Sequence, residues 1–355
     1  MADASSVPAA LQAERGDAFR PRDRILRLFQ AAPVSPVWVG LAIALAYVAF
    51  FLAFERFTGI FSPGGPGEAW ASQVVVWECV NGMIVAYLLT ANALAVRGAR
   101  TDFACLRPHL AVSDSEFDRL QDQATNLSAA ALWGGSAVGV IGGAMLPIFD
   151  AGVWGDMPRP PITSALFLWV LFRNALIGWS AARASMVEIA MTRGLAGAAG
   201  LMRVDLLDAR RLAPFARKSQ RGVVGWVGFM MLFSLFFLGK PADSNPFFLV
   251  LILGALLAVF LVPLIAVRRR IVAAKTSELE RVNACIRGAL GGEGGETRAG
   301  PRLADWVTYR SLVEGVREWP INVSGLLRSL LFAALGVGSW LGGAVVERLL
   351  GAALD

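Results

Sequence analysis

Charge is scarce in this chain: Asp, Glu, Lys and Arg together make up 17% of its 355 residues, against 56% hydrophobic ones. Lysine is scarcer still, occurring only at Lys218, Lys240 and Lys275, while every other basic position is arginine. That bias, with abundant Ala and Gly, points to a GC-rich bacterial genome. Histidine occurs once, at His109 beside Pro108, and the three cysteines, Cys79, Cys105 and Cys285, show no CxxC spacing. Neither a metal-ligand set nor a disulfide framework can be built from these, and neither metal nor cofactor is expected. Catalytic signatures are missing as well: there is no Gly-x-Ser-x-Gly, no HExxH and no Walker loop. The glycine-rich GALGGEGGETRAGP lacks the GxxxxGK[ST] pattern and a following strand, so it is a linker rather than a phosphate loop. Asp150 and Asp156 fall in a connecting turn, not as a pair within apolar helices. The chain is expected not to be an enzyme.

What is present is long apolar runs, and the mean hydropathy is +0.57. A soluble protein distributes apolar residues at helix or strand period; blocks of about 20 indicate membrane-spanning helices. Seven are expected, at about 37–54, 73–96, 129–149, from Ile162, 223–238, 247–267 and 326–346. The fold class is therefore all-α and polytopic. Residues 1–35 form an amino-terminal segment in which Arg22, Arg24 and Arg27 alternate with Ile25, Leu26, Leu28 and Phe29, the pattern of an interfacial amphipathic helix. No apolar stretch precedes Pro36, so no cleaved signal peptide is expected and the first span is retained. Residues 36–355 form the membrane domain, with helical extensions at about 113–127, 184–221 and 268–319. The first extension opens on a capping box, Ser113 to Glu116, and is expected to run directly into the third span. Within 201–221, apolar and charged residues mix as in an interfacial helix broken at Pro214.

Basic residues cluster at 1–35, 97–127, 183–221 and 268–317, while the opposite side holds only Arg56, Arg159, Lys240 and Arg348. The positive-inside rule then puts the amino terminus and the helical extensions in the cytoplasm and the short carboxyl terminus outside. The expected location is a bacterial inner membrane. With its charge distributed by topology, the formal +6 does not indicate nucleic acid.

Polar residues inside the spans are the candidate sites. Arg173 lies about eleven residues into its span, roughly 17 Å deep at 1.5 Å per residue. A charge there costs roughly 2.5–3.5 kcal/mol on insertion scales, so it needs a partner and must face protein or water. Glu78 and Asn81 enter the bilayer on the second span from the same side, and Glu78, Asn81, Arg173 and Asn174 are expected to meet. The cluster is either a buried pair that fixes helix packing or a ligand or ion site. In the third span Gly135, Gly139 and Gly143 recur at intervals of four, which lets helix backbones approach closely. Ser339 and Trp340 interrupt the glycine-rich last span, which ends at Glu347. They are pore-lining candidates, a hydroxyl, an aromatic and a ring of charge, or else a packing seam with an anchored indole. Arg268, Arg269 and Arg270 close the sixth span; they contact anionic lipid head groups or simply fix topology.

Seven spans with an inward amino terminus, short external loops, a helical cytoplasmic base and a short outward tail after a glycine-rich last span resemble the insect odorant and gustatory receptor superfamily of seven-span ion channels. The resemblance is topological and covers the whole chain. The Thr-Tyr-led, Gln-Phe-ended motif of that family's last helix has no counterpart in SLLFAALGVGSWLGGAVVERLL. It implies a chemoreceptor-like homotetramer joined at its cytoplasmic base, with the last helix lining a pore and a small-molecule pocket in each subunit. The expected function is an oligomeric, ligand-gated ion channel surrounded by membrane lipid. The alternatives are a secondary transporter with a polar site between spans two and four, and a noncatalytic membrane sensor or scaffold.

Overall fold

A computed structural model describes residues 22–65, 67–68, 71–149, 159–202, 206, 212–235, 246–291, 303–319 and 331. Among them the chain is helical throughout, with an isolated antiparallel bridge between Leu110 and Met202. In order come α1 (Arg24–Ala31), α2 (Pro36–Thr58), α3 (Ala71–Leu106), α4 (Asp114–Thr125), α5 (Ala129–Phe149), α6 (Ala165–Leu201), α7 (Ala213–Ser234), α8 (Pro246–Gly291) and α9 (Leu303–Glu314).

The helix ends follow capping chemistry. The Asp23 carboxylate accepts from the Ile25 N–H at 2.8 Å and starts α1. Ser113 accepts from the Glu116 N–H at 3.3 Å, one of the two bonds of a capping box. Ser164 accepts from the Phe167 N–H at 3.2 Å and sets the start of α6. Pro36 sits in the first turn of α2, and Gly59 ends that helix in the left-handed region at φ 59°.

Four stretches are long and apolar enough to cross a membrane among the described residues: Pro36–Thr58, Gln73–His109, Asp114–Phe149 and Ala165–Leu201. Their outward faces are greasy; Trp38, Leu45, Trp133, Val138 and Phe149 are all exposed, while Glu78, Asn81, Asn92, Ser180 and Arg183 are buried. Apolar outside and polar inside is the arrangement that a lipid solvent favours. The chain thus has the character of a multi-pass helical membrane protein.

Several boundaries differ from the sequence expectation. α4 does not run into α5: the chain turns extended at Asn126, and Ser128 caps the new helix by accepting from the Ala131 N–H at 3.2 Å. Pro214 begins α7 instead of breaking it, because a proline costs nothing in a first turn whose N–H groups have no helical partner. The fifth expected span is therefore the second half of a helix whose first half carries Arg217, Lys218 and Arg221. α8 runs unbroken through Arg268, Arg269 and Arg270 to Gly291, a rod of roughly 69 Å. Apart from Leu331, the expected last span lies outside the described residues, and Ser339, Trp340 and Glu347 with it.

α3 is the hub and touches α2, α6 and α7, while α5 and α6 form the most extensive pair. Glycines set that pair's spacing: a Cβ on Gly139 or Gly178 would collide with the other's carbonyl, and one on Gly143 with the Asn174 carbonyl. At the end where α3 leaves the apolar zone, Phe103, Leu106, Phe117, Leu195 and Phe215 form a core with Val267 and Ile271 of α8.

Candidate functional site

The first polar cluster gathers on Glu78 of α3, which has no solvent exposure. Its Oε1 accepts from Trp169 Nε1 and from Arg173 Nη1, each at 3.0 Å. Its Oε2 accepts from the Tyr47 hydroxyl at 2.6 Å and from Asn81 Nδ2 at 3.3 Å. Four donors from three helices thus occupy both oxygens, and a carboxylate offers about two lone-pair sites on each. Packing places the donors. A Cβ on Gly82 would come within 2.8 Å of the Tyr47 ring, so only glycine seats that tyrosine. Trp169 stacks on Phe54 at 4.9 Å and leans on Phe51 at 5.2 Å. Nothing of the carboxylate is left over for a ligand, and its four hydrogen bonds tie α2, α3 and α6 together.

Of the four residues expected to meet, Glu78, Asn81 and Arg173 do. Asn174 instead donates to the Val170 carbonyl of its own helix at 2.8 Å. Tyr47 and Trp169 were not singled out by the sequence reading.

A second group of charges lies at the basic end of the bundle. Arg183 of α6, 8% exposed, pairs with Asp23 and donates to the Ser136 hydroxyl at 3.1 Å. Its guanidinium also lies over the Trp179 ring at 5.3 Å. One contact therefore ties α1 to α5 and α6. Next to it Lys218 pairs with Glu188. Further along, the buried Asp102 accepts from Arg217 Nε at 2.9 Å and pairs with Arg221. A Cβ on Gly98 would strike the Arg221 guanidinium, so that glycine is its seat. Asp102 is the only acid between Arg97 and Arg107, and that isolation is the signal that could have marked it.

Two cavities flank α3 at this end. The larger, about 930 Å³, has α3 as its floor and α2 and α7 as walls; Gly40, Leu41, Met83, Leu94 and Val224 line it, and Arg217, Gln220 and Arg221 stand at one end. The smaller, about 260 Å³, lies between α3, α6 and α7 and holds Asn92, Ser185, Glu188 and Lys218. Tyr87, Ala91, Ala95, Arg221 and Gly225 line both. Tyr87 fixes the α3 to α7 contact there by donating to the Gly225 carbonyl at 2.8 Å.

On the helical extension, Arg268 pairs with Glu318 at 3.2 Å and lies over the Trp319 ring at 5.0 Å, while Arg269 and Arg270 are exposed. α9 is pinned to α8 by Tyr309, whose hydroxyl donates to Glu278 at 2.8 Å, and by Lys275, which donates to the Glu314 carbonyl at 2.7 Å. Hydrogen bonds from Arg281 and then Tyr309 hold the Glu278 carboxyl below its ordinary range, and the same contact pushes the Tyr309 phenol up.

No family model, curated protein or solved structure matches the chain.

Proposed function

We propose that the protein is an amphiphile-binding membrane protein whose site is the cavity between α2, α3 and α7. One observation carries this reading: a space of about 930 Å³, walled almost wholly by apolar side chains, ends on two guanidiniums and an amide. Ligand sites of 300–1,000 Å³ with mainly apolar walls and a few convergent polar groups are the usual form for small molecules. Here the greasy part of the site is also the longer part, which suits a ligand with a hydrocarbon body and a polar end. Because the Glu78 carboxylate is filled by four donors, it supports this site by fixing α2 against α3.

Ala91 lines the cavity and its small side chain leaves the space open. Ala91→Trp would fill it. Purified protein in detergent micelles should bind pyrene-labelled phosphatidylcholine saturably, and the variant should lose that binding while keeping its melting temperature within a few degrees. Non-saturable binding, or undiminished binding to the variant, would overturn the reading.

Binding can feed either of two outputs, and liposomes separate them. A carrier would draw on the adjacent smaller cavity with its Glu188–Lys218 pair and move solute without current. A ligand-gated, oligomeric channel would pass ionic current only when the apolar cavity is occupied.

A further inference from the structure

We infer that the cavity selects an anionic phospholipid from the adjoining leaflet, its head group held by Arg217 and Arg221. The inference rests on the proposed amphiphile site and names its ligand class.

Three features carry it. The first is charge. Arg217 and Arg221 share one carboxylate, Asp102, which is wholly buried. Two cations against one anion leave a positive charge in excess at the cavity's end, and the Arg217 side chain is 46% exposed there, open to a further anion. Arginine's fork of donors suits a phosphate oxygen pair, and a guanidinium already bonded to one acid still has N–H groups to give.

The second is length. α7 runs antiparallel to α3, as the contacts Asp102 to Arg217, Gly98 to Arg221 and Tyr87 to Gly225 show. From Met83 to Ala95 the cavity floor therefore spans roughly 18 Å, close to the roughly 15 Å hydrocarbon depth of one leaflet. An acyl chain laid along α3 with its head at Arg217 fits that run.

The third is depth. Gly98, against which the Arg221 guanidinium lies, is about 38 Å along the helix from Gln73, where the apolar stretch begins. That is about 8 Å past a hydrocarbon core of about 30 Å, at the outer edge of a head-group layer of roughly 5–8 Å on each side. The charged end of the cavity and the phosphates of that leaflet thus share one level. A free phosphate would satisfy the arginines but leave the apolar walls empty, so the two halves of the site together call for a lipid.

The test uses the full chain in detergent micelles, loaded with equal phosphatidylglycerol and phosphatidylethanolamine and weighed by native mass spectrometry. Wild type should retain the anionic lipid about fivefold over the zwitterionic one, the factor that one arginine near an anionic head group is worth. Arg217→Gln leaves the buried Asp102 paired with Arg221; it should keep the number of lipids bound but bring the ratio to about one. Equal retention by wild type, an unchanged ratio in Arg217→Gln, displacement of the lipid by inorganic phosphate, or a lipid-free dimer would each overturn the inference. Loss of lipid in Ala91→Trp together with an unaltered ratio in Arg217→Gln leaves the amphiphile site standing and removes the head-group assignment. Undiminished lipid in Ala91→Trp removes the site itself.

Discussion

A charge in a membrane interior is tolerated in proportion to how fully its hydrogen-bonding capacity is met, and Glu78 is met on every side. Removing Arg173 would leave the carboxylate buried with three neutral donors and no cation. Breaking one side of a buried pair typically costs about 3–5 kcal/mol, and we expect that range for Arg173→Ala. Deleting Glu78 as well should recover part of it, with a coupling of about 1–3 kcal/mol in a double-mutant cycle read from thermal unfolding in micelles. Strictly additive losses would show that the two side chains do not depend on each other. The pairing was legible because depth along each helix follows from residue count alone. What depth does not reveal is azimuth. Arg173 and Asn174 are adjacent, and neighbours on a helix do not face the same way, so only one of them could reach Glu78. Tyr47 and Trp169 were missed for a related reason: an aromatic ring in a span fits lipid, an interface or a core equally well, and its polar tip matters only once a partner is in reach.

At the scale of elements, apolar runs located the helices, and charge obscured where some of them began. Arg217, Lys218 and Arg221 made the first half of α7 resemble an interfacial helix separate from the fifth span, yet each finds an acid on α3 or α6, partners that lie far away in sequence. The long extension of α8 was legible from its stripe of Leu279, Val282, Ile286 and Leu290, and the α9 docked on it gives a pH-dependent contact. Glu278 is held below its ordinary carboxyl range, so the stability it contributes is complete above the unfolded value and fades as pH falls through the folded one. Tyr309 is raised, so its contribution is complete below about 10 and is lost as pH rises through its folded value. The docking of α9 should therefore be firm across neutral pH and loosen at both extremes. The protection of residues 303–314 against hydrogen exchange, taken relative to the intrinsic rate at each pH, should fall below about pH 4 in wild type, and Glu278→Gln should flatten that acid limb. Protection that stays constant in acid would show that the Lys275 contacts and the buried Val313 hold the helix unaided.

For the molecule as a whole, the cysteines report orientation without an added tag. Cys105 lies about 48 Å along the helix from Gln73, and Cys285 about 58 Å from the start of α8. Both distances exceed a hydrocarbon core of about 30 Å, and all three cysteines are free. Arg97, Arg100 and Arg107 surround the first, and Arg281 and Arg287 flank the second. By the positive-inside rule we expect that whole end in the cytoplasm, along with α1, the Asp102 cluster and the charged end of the cavity. With Cys79 replaced by alanine, each remaining cysteine kept alone should react with a membrane-impermeant maleimide in inverted vesicles and not in intact cells. Ser62→Cys, placed between α2 and α3 at the other end, should show the reverse. If Cys105 labels in intact cells while Ser62→Cys is shielded, the bundle is inverted. The arginines at the cavity would then face the outer leaflet, and the lipid they select would have to be sought there.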